Sequence, residues 1–482
     1  MRERARFAPS PTGPLHIGGV RTALFNYLIA KKNGGDFILR IEDTDSKRTV
    51  KGAEEHIKDS LRWLGLKFDE GPIKQSERKY LYKKCIDELI KKGLAYYAFD
   101  TSVELEKMRA NANGQFKYNY ETRKNMINSF TVSDEEVKSR VKSGGYVVRM
   151  VVPEERKVTV NDEIRGSLSF KSNELEDKII MKSDGMPTYH FANVVDDHNM
   201  KITSVVRGEE WLSSLPSHIT LYDHFGWNPP KFFHLPLILK STGQGKLSKR
   251  DADEQGHPVF AVQWEESKGF KEFGYTPEGI INYLALLGWK GKDETEKYTL
   301  DELIECFESK YINKSGARFD VKKALWINHL HLKDFSSKKI LSLSNQAKSL
   351  LEKKYEVKVC EEIVDLIKQR LNTVLDVEKE VFVFINQPKS YDSDAIEKIT
   401  RNTIYDILNF CKLNTELISD PLSLKESLMS FASESQISFG NIMKTLRLCI
   451  VGSLSGPDLF KIIEIIGHDE TLQRIESLIN KI

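Results

Sequence analysis

Two segments of the chain carry residue types suited to phosphate chemistry. The first is Pro9-Ser10-Pro11-Thr12-Gly13-Pro14-Leu15-His16-Ile17-Gly18-Gly19. It joins a short extended run, Arg4 to Ala8, to a helical pattern from Val20 to Lys32. A helix N-terminus carries unpaired N–H groups and a partial positive charge, which suits an anion. Gly18 and Gly19 let a bulky ligand approach the backbone, and His16 stands where it can donate to phosphate oxygens. The same letters also describe a tight Pro/Gly turn with a surface histidine. The second segment is Lys246-Leu247-Ser248-Lys249-Arg250, preceded by Gly243 and Gly245. A flexible basic loop of this kind can close over a polyphosphate and neutralise charge that develops during transfer. A solvated lysine-rich surface loop is the other reading.

The elements around these segments indicate how they are held. In the helical pattern, Val20, Leu24, Tyr27 and Leu28 share one face, and Gly34-Gly35 ends it. Phe37 to Ile41 is an apolar strand followed by the loop Glu42 to Asp45. Strand, helix and strand of these lengths make a βαβ unit, so a parallel sheet with a right-handed crossover is expected. Ligands of such sheets bind beyond the C-terminal strand ends. Helices follow around Glu54 to Leu64 and Tyr80 to Lys92. From about 100 to 190 the pattern changes to an α+β insertion. It has a helix opened by a capping box, Ser133 with Glu136, then short strands (Tyr146 to Val152, Val158 to Val160, Leu168 to Phe170, Lys178 to Lys182) and a hairpin signal at Asp184-Gly185. Ile202 to Arg207 resumes as a strand, Glu210 to Phe225 as a helix, and Phe233 to Leu239 as a last strand before the basic loop. After about 275 helical periodicity dominates: Ile340 to Leu351, Glu361 to Leu375, Ala395 to Cys411 and further segments up to Thr471 to Ile479.

Composition narrows the class. The chain has 482 residues, enough for about three domains. No apolar run approaches the roughly 20 residues of a membrane span, and the charged start, Met1 to Arg6, leads into no apolar signal region. The cysteines Cys85, Cys306, Cys360, Cys411 and Cys449 never form C-x-x-C, which disfavours a disulfide scaffold or a clustered zinc site. A cytoplasmic protein is expected. The net charge of +2 neither supports nor excludes RNA, because a nucleic-acid partner needs local patches and not a basic average.

Taken together, Pro9 to Gly19, Arg40-Ile41-Glu42-Asp43-Thr44-Asp45, Pro187 to His198, Arg207-Gly208-Glu209-Glu210-Trp211 and Lys246 to Arg250 resemble the class I aminoacyl-tRNA synthetases. More narrowly, the chain looks like the bacterial-type glutamyl-tRNA synthetases. His16 to Gly19 stands where that family has its HIGH motif, and Lys246 to Arg250 where it has KMSKS. Leu446-Arg447, Gly452-Ser453-Leu454 and Pro457-Asp458-Leu459-Phe460 match further along. The resemblance covers nearly the whole chain, in the family's order.

The resemblance implies an α/β Rossmann-like catalytic domain with an α+β insertion, followed by an all-α anticodon-binding half. The implied ranges are 1–98 and 191–243 for the catalytic halves, 99–190 for the insertion, and 244–325 for a stem-contact region. Ranges 326–385 and 386–482 would be the two anticodon-binding parts. It implies ATP-dependent ligation of L-glutamate to tRNA-Glu through a glutamyl-adenylate, with magnesium screening the phosphates. His16, Lys246 and Lys249 would stabilise phosphoryl charge. Arg6, Ser10, Glu42, Tyr189, Asn193 and Arg207 would form the glutamate pocket. The types fit, since arginine binds carboxylates with fork geometry and Glu42 can accept from an ammonium group. Gly18, Gly19, Glu210, Trp211 and Ser248 would complete the ATP site. Arg370 and Arg447 would contact tRNA, Arg370 sensing the third anticodon base and so separating tRNA-Glu from tRNA-Gln. A monomer without membrane association is implied.

Where some relatives carry zinc-binding cysteines after the residues matching Ala95 to Phe99, this chain has none, so no structural zinc and no metal ligand from the protein are expected. A glutaminyl-tRNA synthetase would differ around Ser10 to Gly13 and tend to β-barrels in its rear half. A truncated tRNA-modifying paralogue would lack the helical half. A non-enzymatic RNA-binding relative would have lost the phosphate-site residues, yet His16, Lys246 and Lys249 are present.

Overall fold

The computed structural model describes residues 2–111, 116–154, 157–171, 175–242, 245–248, 250–251, 256–291 and 293–482. Two compact units emerge, one of residues 1–272 with 277–324, the other of residues 273–276 with 325–482.

The first unit is built on a seven-stranded sheet. Its strands are β1 (Arg4–Phe7), β2 (Asp36–Ile41), β3 (Glu70–Lys74), β6 (Lys157–Asp162), β7 (Gly166–Lys171), β9 (Ser204–Gly208) and β10 (Lys231–Leu235), in the order β3-β2-β1-β9-β10-β6-β7. A separate three-stranded sheet contains β4 (Ala95–Ala98), β5 (Val147–Met150) and β8 (Ile179–Met181). The pairs β1·β2, β2·β3, β1·β9, β9·β10 and β10·β6 are parallel. The expected βαβ unit is therefore present. In β2, Phe37, Ile38, Leu39 and Ile41 are fully buried, as a parallel strand covered on both faces requires.

The order of strands reverses between β1 and β9, so the crevice at their carboxyl ends is a topological switch point. Arg6 near the end of β1 and Arg207 near the end of β9 are delivered to that crevice by adjacent strands. Helix α1 (Ile17–Lys32) leaves the same end of β1. It starts at Ile17 and not at Val20 as the periodicity suggested, because His16 caps it and takes both glycines into the first turn. Gly19 packs closely there: a Cβ would meet Leu15 Cδ1 at 2.7 Å and require that side chain to shift.

The segment read as an insertion is divided. The hairpin β6–β7 does not remain with it but extends the main sheet beyond β10, through Phe232 opposite Asp162. Such long-range pairing leaves no local mark on the sequence. The capping box at Ser133 is half formed. The Ser133 hydroxyl accepts from the Glu136 N–H, while the Glu136 carboxylate pairs with Arg140 instead.

In the second unit the helices Ser337–Leu343, Asn345–Glu352, Val357–Ile367, Asp376–Ile385, Ser393–Ile399, Arg401–Leu413, Pro421–Ser435, Phe439–Val451, Leu459–Ile466 and His468–Ile479 share one core, from Leu332 to Leu478. Three segments read as single helices are each broken. Ile340 to Leu351 divides at Ser344, Glu361 to Leu375 ends after Arg370, and Ala395 to Cys411 divides at Thr400, whose φ is +76°. Residues on both sides of each break lie in the common core, so the apolar pattern runs through the breaks and periodicity alone does not register them.

Candidate functional site

The first unit holds a cavity of about 560 Å³ at the switch point, and both phosphate-type segments line it. From the first come Ser10, His16, Gly18 and Gly19; from the second, Lys246 and Ser248. Arg6, Glu42, Tyr189, Asn193, Arg207, Glu210 and Trp211 line the same space. Lys249 lies outside the described residues.

His16 is both cap and cavity residue. Its Nδ1 accepts the Gly18 N–H at 3.2 Å. The ring proton is then on Nε2, which is buried with no partner among the described residues. Burial, with the charge of Lys246 adding to it, lowers the pKa of His16 to about 4. At neutral pH the site offers a neutral N–H donor. Lys246 is half-exposed, 3.4 Å from the Glu210 carboxylate. The strand Ile238–Leu239 fixes the base of its loop, with Leu247 donating to Ile238 O at 2.9 Å. Ser248 bonds Asp251 through its N–H and hydroxyl.

A buried charge network forms the opposite wall. Arg6 grips Asp197 through two nitrogens, Nε at 2.9 Å and Nη2 at 3.2 Å. Its Nη2 also donates to Asn193 Oδ1 at 2.8 Å. Asn193 in turn donates to Glu42 Oε1 at 2.5 Å. Arg40, fully buried, bonds the same Asp197 oxygen at 2.7 Å. Burial opposes ionisation of Asp197, but Arg40 and Arg6 outweigh it and hold its pKa below the ordinary value. Glu42 goes the other way. Burial raises its pKa to about 7, against the pull of Arg40 and Arg6. It is thus poised to ionise when a cation arrives.

Arg207 is held differently. Its Nε donates to His234 Nε2 at 2.9 Å, and its Nη1 lies 3.3 Å from His218 Nδ1 and 3.4 Å from the Tyr189 hydroxyl. Nη2 is buried and has no partner among the described residues. Burial lowers the pKa of His218 and His234, so neutral rings surround the guanidinium and its charge is left for an anion. Tyr189 packs against Trp211 with ring centroids 4.3 Å apart and planes tilted by 32°, an aromatic wall at this side of the cavity.

In the second unit, Arg370 and Arg447 hold one loop. Arg370 bonds Glu380 at 2.7 Å, Ser455 Oγ at 3.1 Å and Gly456 O at 3.4 Å. Arg447 donates to Pro457 O at 2.7 Å. Arg370 also lines a cavity of about 530 Å³ with Lys379 and Lys389.

Sequence reasoning missed Arg21, Asp162, His218 and His234. Arg21 lines the cavity and bonds Leu287 O at 3.0 Å and Pro236 O. A charged residue inside an otherwise apolar helix was its only signal. Among the described residues no group of three His, Cys, Asp or Glu side chains could hold a metal ion. No helix among them is long and apolar enough to cross a membrane.

The family model for tRNA synthetases class I (E and Q), catalytic domain, matches residues 3–326, and the anticodon binding domain model matches residues 333–479. A glutamate–tRNA ligase of Azobacteroides pseudotrichonymphae is 47% identical over 99% of both chains. Another, from Christiangramia forsetii, is 44% identical over 99% of this chain and 98% of its own. The crystal structure of a glutamate tRNA ligase from Elizabethkingia meningosepticum, in complex with its amino acid, superimposes with a TM-score of 0.92 at 43% identity, covering 100% of this chain and 99% of that one. A second, from Elizabethkingia anophelis, gives 0.90 at 43% identity over 100% of both. With the switch-point cavity and its two phosphate-type segments, these matches establish that the chain belongs to the glutamate–tRNA ligase family of class I aminoacyl-tRNA synthetases.

Proposed function

We propose that the switch-point cavity ligates L-glutamate to tRNA-Glu in two steps. In the first, a glutamate α-carboxylate oxygen attacks the α-phosphorus of ATP. The bond to the β-phosphate oxygen breaks, diphosphate leaves, and glutamyl-adenylate remains. In the second, the terminal ribose 2′-hydroxyl of tRNA attacks the acyl carbon, its proton is lost, and AMP departs. The enzyme supplies no nucleophile. It positions reactants and stabilises phosphoryl charge.

The observation carrying this reading is that His16 and Lys246, 230 positions apart in sequence, share one cavity with Arg6, Glu42 and Arg207. In this assignment His16 Nε2–H, the first N–H groups of α1 and Lys246 receive the phosphates, joined by Lys249. Trp211 and Glu210 receive the nucleoside, helped by Ser248, Gly18 and Gly19. Arg207 and Arg6 receive carboxylates, Glu42 the α-ammonium group, and Ser10, Tyr189 and Asn193 complete the pocket. Magnesium is assigned to the ATP phosphates, whose charge it would screen. Arg370 and Arg447 are assigned to tRNA in the helical unit. The enzyme is proposed to act in the cytoplasm as a monomer without structural zinc.

Charging assays with glutamate and glutamine, each against tRNA-Glu and tRNA-Gln, test the reading. Glutamate on tRNA-Glu is the expected product. ATP–diphosphate exchange that ignores glutamate would end it.

A further inference from the structure

Arg207 has a support that the ligation chemistry above does not use. The ring of His234, fully buried, lies between Arg207 Nε and Asp162, with His234 Nδ1 2.7 Å from Asp162 Oδ2 and His234 Nε2 2.9 Å from Arg207 Nε. The other Asp162 oxygen accepts the N–H groups of Ile164 at 3.0 Å and Arg165 at 2.8 Å. Arg207 Nε is always a donor, so His234 Nε2 must accept, and its proton must sit on Nδ1 facing the carboxylate. The orientation is enforced from both sides. His218 repeats the arrangement at Nη1, itself facing His190 at 3.2 Å. No carboxylate bonds Arg207 among the described residues, whereas Arg6 is paired to Asp197.

We propose that Asp162 and His234 are positioning residues: they lock Arg207 through Nε, without neutralising it, so that Nη2 is presented to a carboxylate of glutamate in the cavity. This rests on the reading that Arg207 binds substrate. The charges agree with it. Burial lowers the pKa of His234 despite its bond to Asp162. For Asp162 burial works upward, but the bonds from His234 and the Arg165 N–H bring it below the ordinary value. A neutral ring between an ionised acid and an arginine passes on orientation and leaves the arginine its full charge.

The test is the dependence of ATP–diphosphate exchange, with tRNA present, on glutamate and on ATP. Asp162→Asn keeps an oxygen for the Ile164 and Arg165 N–H groups but turns an amide donor toward His234. The ring must then protonate Nε2 and face Arg207 donor to donor. The expected result is a glutamate KM raised about tenfold or more, with kcat and the ATP KM within about threefold of the parent. His234→Phe should do the same. His234→Gln, whose amide oxygen can accept from Arg207, should recover most of the loss. Unchanged glutamate KM in D162N and H234F overturns the proposal. So does an equal fall in every parameter, or H234Q no better than H234F, since the pair would then be merely structural. Thermal unfolding of each variant accompanies the kinetics, and if D162N does not fold the His234 pair carries the test. Arg207→Ala run in parallel separates the two levels: an unchanged glutamate KM there removes Arg207 from the pocket itself.

Discussion

His16 accepts the backbone N–H of Gly18 at its own Nδ1, 3.2 Å away, so one side chain lining the cavity caps α1 and keeps a buried Nε2 without a partner among the described residues. The two jobs use different nitrogens and can be separated. His16→Ala should lose both, costing about 1 kcal/mol of stability for the cap and adenylate formation by roughly two orders of magnitude or more. His16→Asn should retain the cap and still fail in ATP–diphosphate exchange. If H16N is fully active, the ring donor has no part in the chemistry.

Glu42 should give the glutamate requirement a pH dependence. Burial holds its pKa at about 7 in the free site. An ammonium ligand needs the ionised form, so binding must first drive off a proton at acid pH. Glutamate KM is therefore expected to fall as pH rises from about 6 to about 8, close to tenfold per unit at the acid end. Its own stability effect has the opposite sign. With the folded pKa raised, stability is greatest below the ordinary carboxylate pKa and declines as pH rises through about 7. Glu42→Gln should flatten the KM profile while raising KM throughout. A profile equally steep in E42Q would place the titrating group elsewhere.

The two pocket arginines should fail differently. Arg6→Ala strips one of two cations from the buried Asp197 and leaves Asn193 Oδ1 without its donor. Breaking such a buried pair costs about 3 kcal/mol or more, so a lowered Tm should accompany a raised glutamate KM. Arg207→Ala leaves neutral histidines and the Tyr189 hydroxyl behind, with no stranded carboxylate among the described residues, and should raise KM with a smaller change in Tm. Equal loss of stability in both variants would contradict the contrast between a paired and an unpaired guanidinium.

Lys246 is half-exposed and its ion pair among the described residues is with Glu210, so Lys246→Ala should scarcely move Tm while slowing adenylate formation about a hundredfold. Lys249→Ala is expected to slow adenylate formation likewise. Exchange rates near the parent in both would remove the basic loop from the reaction.

The elements that position this site were readable where the signal was local. The apolar run Phe37 to Ile41, the face of Val20, Leu24 and Leu28, and the Pro- and Gly-bounded loop before His16 each follow from neighbours in sequence. The features that escaped are contacts made at a distance. Asp162 reaches His234 across 72 positions only after β6 has joined the main sheet, and Arg6 reaches Asp197 across 191. Thr400 breaks a helix through a positive φ that its residue type does not announce. Arg40 read as part of a motif, yet its role is to share Asp197 with Arg6, visible only once β2 lies beside β1.

Arg370 and Arg447 grip consecutive parts of one loop, Ser455 to Pro457, so their effects on tRNA should not be independent. Arg370 Nε is anchored by Glu380, which leaves Nη1 and Nη2 on the loop at the edge of a cavity shared with Lys379 and Lys389. If this face senses the third anticodon base, Arg370→Ala should raise charging of tRNA-Gln relative to tRNA-Glu, and Glu380→Gln should do so more weakly by loosening the anchor. Arg447→Ala should shift the same ratio in the same direction, and the double variant should fall short of the sum, because two changes at one loop are coupled. Cognate charging at saturating tRNA should hold, since the cavity proposed to form the adenylate belongs to the other unit. Efficient charging of tRNA-Gln by the parent enzyme, unaffected by R370A, would leave the loop a structural element only.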